Sequence, residues 1–130
     1  MMWLIDTNIW LYAAAKQKEC VDFLDAASES EWTGYSAITR LELFGFPDLK
    51  PEDEKRLNEL LQGFSEAEVN ALVIDKAIEV RRGRRVRAPD AIIAATALVM
   101  GATLVTRNTD DFKGIKGLRL MNPYESTVGK

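Results

Sequence analysis

The residues best able to do chemistry are acids that stand just past predicted strand ends or in the first turns of predicted helices. Asp6 follows the apolar run Met2-Trp3-Leu4-Ile5. Glu42 follows the second predicted strand. Asp90 sits behind Pro89 at the head of the most apolar helix, and Asn108, Asp110 and Asp111 follow the fourth strand. In a parallel sheet these positions face one edge, the carboxyl edge at which open α/β sheets bind ligands. Several carboxylates in one pocket repel each other unless a cation meets them. The chain has no histidine, and Cys20 is its only cysteine. That excludes a serine–histidine triad, a Cys–His nucleophile pair, a Cys/His zinc site and an intrachain disulfide. What remains is carboxylate chemistry, and carboxylate clusters favour hard divalent ions such as Mg²⁺ or Mn²⁺.

Each acid also has an ordinary explanation. Asp6 could merely end a strand and help the cap of the next helix. Glu42 could be a helix-surface acid, although Leu41, Leu43 and Phe44 bracket it. Asp90 could complement the helix dipole, yet a solvated acid is unexpected at the head of so apolar a helix. Asp110 and Asp111 could be turn residues, and one of them fits that role. The run Arg81-Arg82-Gly83-Arg84-Arg85-Val86-Arg87 reads as a basic loop, either solvated or touching phosphate.

The elements that must position these residues can be read in order. Met2 to Ile5 reads as a buried central strand. Asn8 or Thr7 can cap a helix from Ile9 to Ala15. Cys20, Val21, Phe23, Leu24 and Ala27 repeat at helical spacing to about Ser28. Trp32 to Ala37 has strand composition. Thr39 can cap a helix Arg40 to Phe44 ended by Gly45, and Pro51 opens another with Leu57, Leu60, Leu61 and Phe64 on its apolar face. Val69 to Ile74 reads as a third strand interrupted by Asn70. Asp75 then caps a helix from Lys76 to about Arg82. Pro89 opens a helix to Met100, closed by Gly101. Thr103 to Thr106 is the fourth strand, Arg107 to Phe112 a polar turn or short helix, and Leu118 to Met121 a fifth, edge-like strand. The alternation predicts one domain over residues 1–130, an α/β fold with three layers and a mostly parallel sheet.

The totals bound the rest. A chain of 130 residues, 47 % hydrophobic and 28 % charged, is long enough for one real core. A net charge of -3 leaves no global basic footprint, so any nucleic-acid contact must come from a local cluster. No apolar run approaches the roughly 18 residues of a membrane span. The amino terminus lacks the basic and long apolar segments of a signal peptide. With a lone cysteine, this fits a reducing cytoplasm.

Four stretches together resemble a family. Ile5-Asp6-Thr7-Asn8, the Thr39-Arg40-Leu41-Glu42 helix, Ala88-Pro89-Asp90 with its alanine-rich helix, and Leu104 through Phe112 are similar to PIN-domain ribonucleases of the VapC type, the toxins of type II toxin–antitoxin systems. Gly117-Leu118 and Asn122-Pro123 match as well. The resemblance spans nearly the whole chain, and its specificity lies in the order and spacing of short motifs. It implies a PIN-like three-layer α/β/α sandwich with a mostly parallel central sheet of four to five strands. It makes Asp6, Glu42 and Asp90 the core metal-binding acids. Where many PIN domains carry a fourth acid this chain has Asn108, which could contribute an amide oxygen, with Asp111 supplying charge; Asp110 is the other neighbour able to complete the site. Thr7, Asn8 and Thr106 would support the ligands.

The activity implied is endonucleolytic hydrolysis of RNA by metal-activated water, with Mg²⁺ or Mn²⁺ as cofactor. Arg81, Arg82, Arg84, Arg85 and Arg87 are the candidates for RNA contacts. A cognate antitoxin, a homodimer and a cytoplasmic, membrane-free setting are also implied. Two rivals are defined. An aspartate-nucleophile phosphatase would use Asp6 but want a second aspartate where Asn8 stands. A catalytically inactive PIN module would only hold RNA or protein. Crowding of three acids further predicts that Asp90→Asn raises the melting temperature of the metal-free protein.

Overall fold

The structure is a computed structural model and describes residues 1–125. In chain order the elements are β1 (Met2–Ile5), α1 (Thr7–Ala14), α2 (Lys18–Ala27), β2 (Trp32–Ser36), α3 (Ala37–Phe44), α4 (Pro51–Leu61), β3 (Ser65–Ala67), α5 (Ala71–Gly83), α6 (Ala88–Met100), β4 (Thr103–Val105), α7 (Thr109–Phe112) and β5 (Leu120–Met121). The strands form one sheet in the order β3-β2-β1-β4-β5, and every pairing is parallel. The mostly parallel sheet of four to five strands is therefore five strands, all parallel.

The strand β1 is central, as its unbroken apolar run requires. Leu4 pairs with Gly34 on one side and Leu104 on the other. Its side chains alternate between two cores. Leu4 and Leu104 join Val73, Ala77, Val80 and the buried residues of α6 on one face of the sheet. Ile5 and Val105 join Ile9, Trp10, Leu24, Leu43, Leu57 and Leu61 on the other. The sheet is thus clothed by α5 and α6 on one face and by α1, α2 and α4 on the other. Trp10 is fully buried there, edge-on to the rings of Tyr35 and Phe64.

From β1 the chain moves outward to β2 and β3, then crosses back through α5 and α6 to β4 on the other side of β1. The strand order therefore reverses beside β1, which opens a crevice past the carboxyl ends of β1 and β4. Close packing of β2 against β3 depends on Gly34, where a Cβ would lie 2.0 Å from the carbonyl oxygen of Ser65. Gly101 ends α6 in the left-handed conformation, with φ 72°.

Several sequence expectations are corrected. The helix α1 begins at Thr7, two residues early, because Asp6 caps it in place of Thr7 or Asn8; its carboxylate accepts from the Thr7 amide at 2.8 Å. The helix α3 begins at Ala37, since Ser36 provides the cap and Thr39 lies inside the helix, fully buried. The largest difference is at Val69 to Ile74. That stretch is no strand: Asn70 caps α5 by accepting from the Val73 amide at 3.0 Å. Val73, Ala77 and Val80 then face the core at helical spacing, and Asp75 lies within the helix. A short apolar run fits strand and helix alike. The real β3 is Ser65–Ala67, a mostly exposed edge with no apolar signal. The fifth strand is trimmed to Leu120–Met121, and the polar segment after β4 is the short helix α7. Arg81 and Arg82 belong to the last turn of α5, so only the later part of the basic run is loop.

Candidate metal-binding active site

Asp6 is placed by two elements at once. Its amide continues the sheet by donating to Val105 O at 2.9 Å, while its side chain caps α1. It is buried, with 5 % of its surface exposed. One carboxylate oxygen accepts from the Thr7 amide and the other from the Thr106 hydroxyl, both at 2.8 Å. Thr106 in turn accepts from the Asn108 amide at 3.0 Å, which fixes the turn that follows β4. Burial pushes the Asp6 carboxyl up to about 6, against those hydrogen bonds, and Asp90 and Glu42 push in the same direction by charge repulsion. The acids therefore feel one another.

Glu42 arrives from the second turn of α3 rather than the first. Its Oε1 accepts from the Thr7 hydroxyl at 2.7 Å, and Thr7 Oγ1 lies 2.9 Å from Thr39 Oγ1. A hydroxyl has one proton to give, and an ionised carboxylate can only accept. Thr7 spends its proton on Glu42, so Thr39 is the donor to Thr7. The fully buried Thr39 thus starts a relay that orients Glu42. It escaped the sequence reading as a mere cap, although its place three residues before Glu42 puts both on one helix face.

Asp90 is the third residue of α6, with Pro89 ahead of it and its carboxylate near the helix amino terminus. Its side chain is 14 % exposed and pairs with Arg87, Nε to Oδ2 at 3.3 Å and Nη2 to Oδ1 at 3.5 Å. Asn108 caps α7 by position, but its side chain makes no cap bond. Asp6, Thr7, Asn8, Glu42, Arg87, Asp90, Asn108, Asp111 and Phe112 line one cavity of about 60 Å³. The structure thus brings together all the core acids, Asn108, Asp111, Thr7 and Asn8, with Thr106 directly behind. Asp110 does not line the cavity.

The basic run divides. Arg87 enters the acid cavity. Arg81 braces its own loop by donating to Val86 O at 3.1 Å, and half-buried Arg84 donates to Lys113 O. Arg82 and Arg85 are exposed.

Among the described residues, no group of three His, Cys, Asp or Glu side chains is placed to hold a metal ion as it stands. Arg87 brings a positive charge into the cavity. The donor chemistry nonetheless suits a hard cation: the cavity presents carboxylate, amide and hydroxyl oxygens and no nitrogen or sulfur ligand. Each Asp6 oxygen keeps a second lone pair beyond its present hydrogen bond. Among the described residues no helix is long and apolar enough to cross a membrane.

The fold is shared with known proteins. The PIN-domain family profile matches residues 3–118. A chain of VapBC2 from Rickettsia felis, solved bound to a DNA fragment from the promoter, is 27% identical with a TM-score of 0.84, covering 94% of this chain and 98% of that one. A chain of a toxin–antitoxin complex from Klebsiella pneumoniae is 32% identical at TM-score 0.78, with 94% and 98% covered. A chain of FitAcB from Neisseria gonorrhoeae is 26% identical at TM-score 0.76, with 95% and 99% covered. No curated protein sequence matches.

Proposed function

The chain belongs to the PIN-domain family, and on that premise we propose that it is a metal-dependent endoribonuclease of the VapC toxin type. The observation that carries this reading is the single cavity shared by Asp6, Glu42, Asp90, Asn108 and Asp111 at the point where the strand order reverses. An acid whose carboxyl is pushed up chiefly by burial, and further by two other acids, marks a site that gains from a cation.

Asp6, Glu42 and Asp90 would hold Mg²⁺ or Mn²⁺, with the Asn108 amide and Asp111 completing the set. When bound, such an ion neutralises charge on the phosphate and lowers the pKa of a coordinated water. The chain's own residues prepare for this. Thr106 and the Thr7 amide fix Asp6, and the Thr39–Thr7 relay fixes Glu42. Buried Phe112 closes the cavity wall and excludes bulk water. Arg87, largely exposed and paired with Asp90 here, would be available to a phosphate oxygen of the RNA with Asp90 engaged as a metal ligand. A carboxylate of the cavity takes the proton of the attacking water. Arg82 and Arg85, exposed and a few residues before Arg87 in the chain, are suited to phosphates further along the strand.

The toxin–antitoxin setting of the similar solved chains supports an antitoxin partner; a homodimer and a cytoplasmic role are part of the same proposal. A second reading, a PIN module that holds RNA or protein without cutting it, draws on one observation, the pairing of Arg87 with Asp90. Incubation of purified protein with total RNA separates the two. The nuclease reading expects cleavage in Mn²⁺ or Mg²⁺ that EDTA stops and that Asp6→Asn, Glu42→Gln and Asp90→Asn each abolish. Intact RNA at every metal concentration supports the inactive module.

A further inference from the structure

Beside the acid cavity lies a second built feature that hydrolysis does not use. Arg107 sits with its guanidinium carbon 3.9 Å from the Tyr124 ring centroid and 5.1 Å from that of Tyr12. The two rings meet edge to face, 6.0 Å apart at 82°. Tyr124 is pinned: its hydroxyl donates to Gln17 Oε1 and accepts from Cys20 Sγ at 3.4 Å, and its amide donates to Asn122 Oδ1 at 2.9 Å. Asn122 Nδ2 also donates to Arg107 O at 3.5 Å, so turn and arginine are held as a unit. Arg107 is exposed, and among the described residues it forms no ion pair with a carboxylate.

The location gives this arrangement meaning. Tyr12 follows Asn8 by four residues on α1, so the two share a helix face one turn, about 6 Å, apart. Asn8 lines the acid cavity, and so does Asn108, the residue after Arg107. The cation and its rings are therefore tied to the cavity wall through Asn8 and Asn108, one helical turn and one residue away along the chain. Unpaired RNA bases are held by stacking on aromatic rings and arginine planes, and such stacking is tolerant of sequence. We propose that Tyr12, Arg107 and Tyr124 form a docking platform for an unpaired base of the RNA strand, next to the phosphate that is cut. This rests on the nuclease reading above. Tyr12 and Arg107 are positioning residues: they hold the strand so that the neighbouring phosphate enters the cavity.

The test is binding of a short, unstructured, end-labelled RNA in EDTA, followed by fluorescence anisotropy. The same RNA is also made as a set with one abasic nucleotide at each position in turn. Wild-type protein should lose about tenfold in affinity at one abasic position, the usual scale of a lost base stack. Tyr12→Leu and Arg107→Lys should lose about tenfold on intact RNA and nothing further at that position. Tyr12→Phe, which keeps the ring, should match wild type. A residue that merely braces the carboxy-terminal turn would leave the abasic profile unchanged, so identical profiles in wild type and variants overturn the platform. Arg107→Lys, which keeps the charge and both rings, decides the matter should Tyr12→Leu fail to fold. Wild-type RNA affinity in the variants with weakened capture of the co-expressed antitoxin assigns the rings to a protein contact and also overturns it. Wild type that binds RNA with the abasic signature but never cuts it in Mn²⁺ refutes the nuclease reading alone. Wild type with no RNA affinity refutes both.

Discussion

Replacing Asp6 with asparagine removes the charge that the fold tolerates least, and the metal-free protein should become more stable at neutral pH. The Asp6 carboxyl is pushed from 3.8 up to about 6, chiefly by burial. A raised carboxyl binds more protons folded than unfolded, so stability falls as pH rises through the window from about 4 to about 6. The difference of 2.2 units (6 − 3.8) at about 1.36 kcal/mol each amounts to ~3 kcal/mol lost by pH 7. Asparagine escapes this loss. It keeps the helix cap, because Asn serves as well as Asp at that position. Its amide nitrogen, however, faces the Thr106 hydroxyl, which now donates at 2.8 Å and would lose its acceptor, costing about 1 kcal/mol. The net gain at pH 7 is therefore ~2 kcal/mol, or roughly 6–8 °C in melting temperature for a domain of this size. At pH 4 the advantage should vanish. Millimolar Mn²⁺ should reverse the order at pH 7, because wild type binds the ion and the variant does so poorly. The assay is calorimetric melting of both proteins at the two pH values, in EDTA and in Mn²⁺. An Asp6→Asn protein that melts at or below wild type in EDTA at pH 7 refutes the argument. So does a difference that is the same at pH 4.

Other expectations follow from particular contacts. Asp90→Asn, which sequence-level crowding marks as stabilising, should change metal-free melting little, because Asp90 already has Arg87 at 3.3 Å; differential scanning calorimetry beside Asp6→Asn checks the contrast. Thr39→Val should cost about 1 kcal/mol of stability and slow cleavage through a misdirected Glu42, while Thr39→Ser restores both; paired melting and kcat measurements separate these effects. Neutralising Arg82 and Arg85 together should weaken RNA binding and reduce the slope of log affinity against log salt by roughly 1.4, two single-strand phosphate contacts, with circular dichroism unchanged. Gly34→Ala should destabilise by about 3 kcal/mol, because its methyl would lie 2.0 Å from Ser65 O between paired strands; urea titration reads this directly.

The acids were legible in the sequence because strand ends and helix starts leave strong local marks. The run Met2 to Ile5 ending in an acid, and Pro89-Asp90 ahead of an apolar helix, each fix a position on the sheet edge without any knowledge of tertiary contacts. What was hidden depends on contacts between elements. The burial of Thr39 is set by α3 packing beside α1, and the Arg87–Asp90 pair by how the loop before α6 closes. The helix α5 was misread because Val69 to Ile74 is apolar enough for a strand; only the capping bond of Asn70 and the packing of α5 on α6 decide it. The short edge β3 left no apolar pattern at all. Arg107 gave no signal as a charge, since its partners, Tyr12 and Tyr124, lie far from each other in the chain.

The central claim is that the acid cavity hydrolyses RNA with activated water. The chemistry of the cut ends tests it most directly. Water attack breaks the bond without help from the ribose, leaving a 5′-phosphate and a 3′-hydroxyl. It must also proceed when the 2′-hydroxyl at the cut position is replaced by hydrogen in an otherwise unchanged RNA. Mass spectrometry of fragments made by wild-type protein in Mn²⁺ should find those two ends from both substrates. Fragments ending in a 2′,3′-cyclic phosphate, with no cleavage of the deoxy-substituted RNA, would mean that the ribose is the nucleophile and that the acids do not perform the reaction assigned to them.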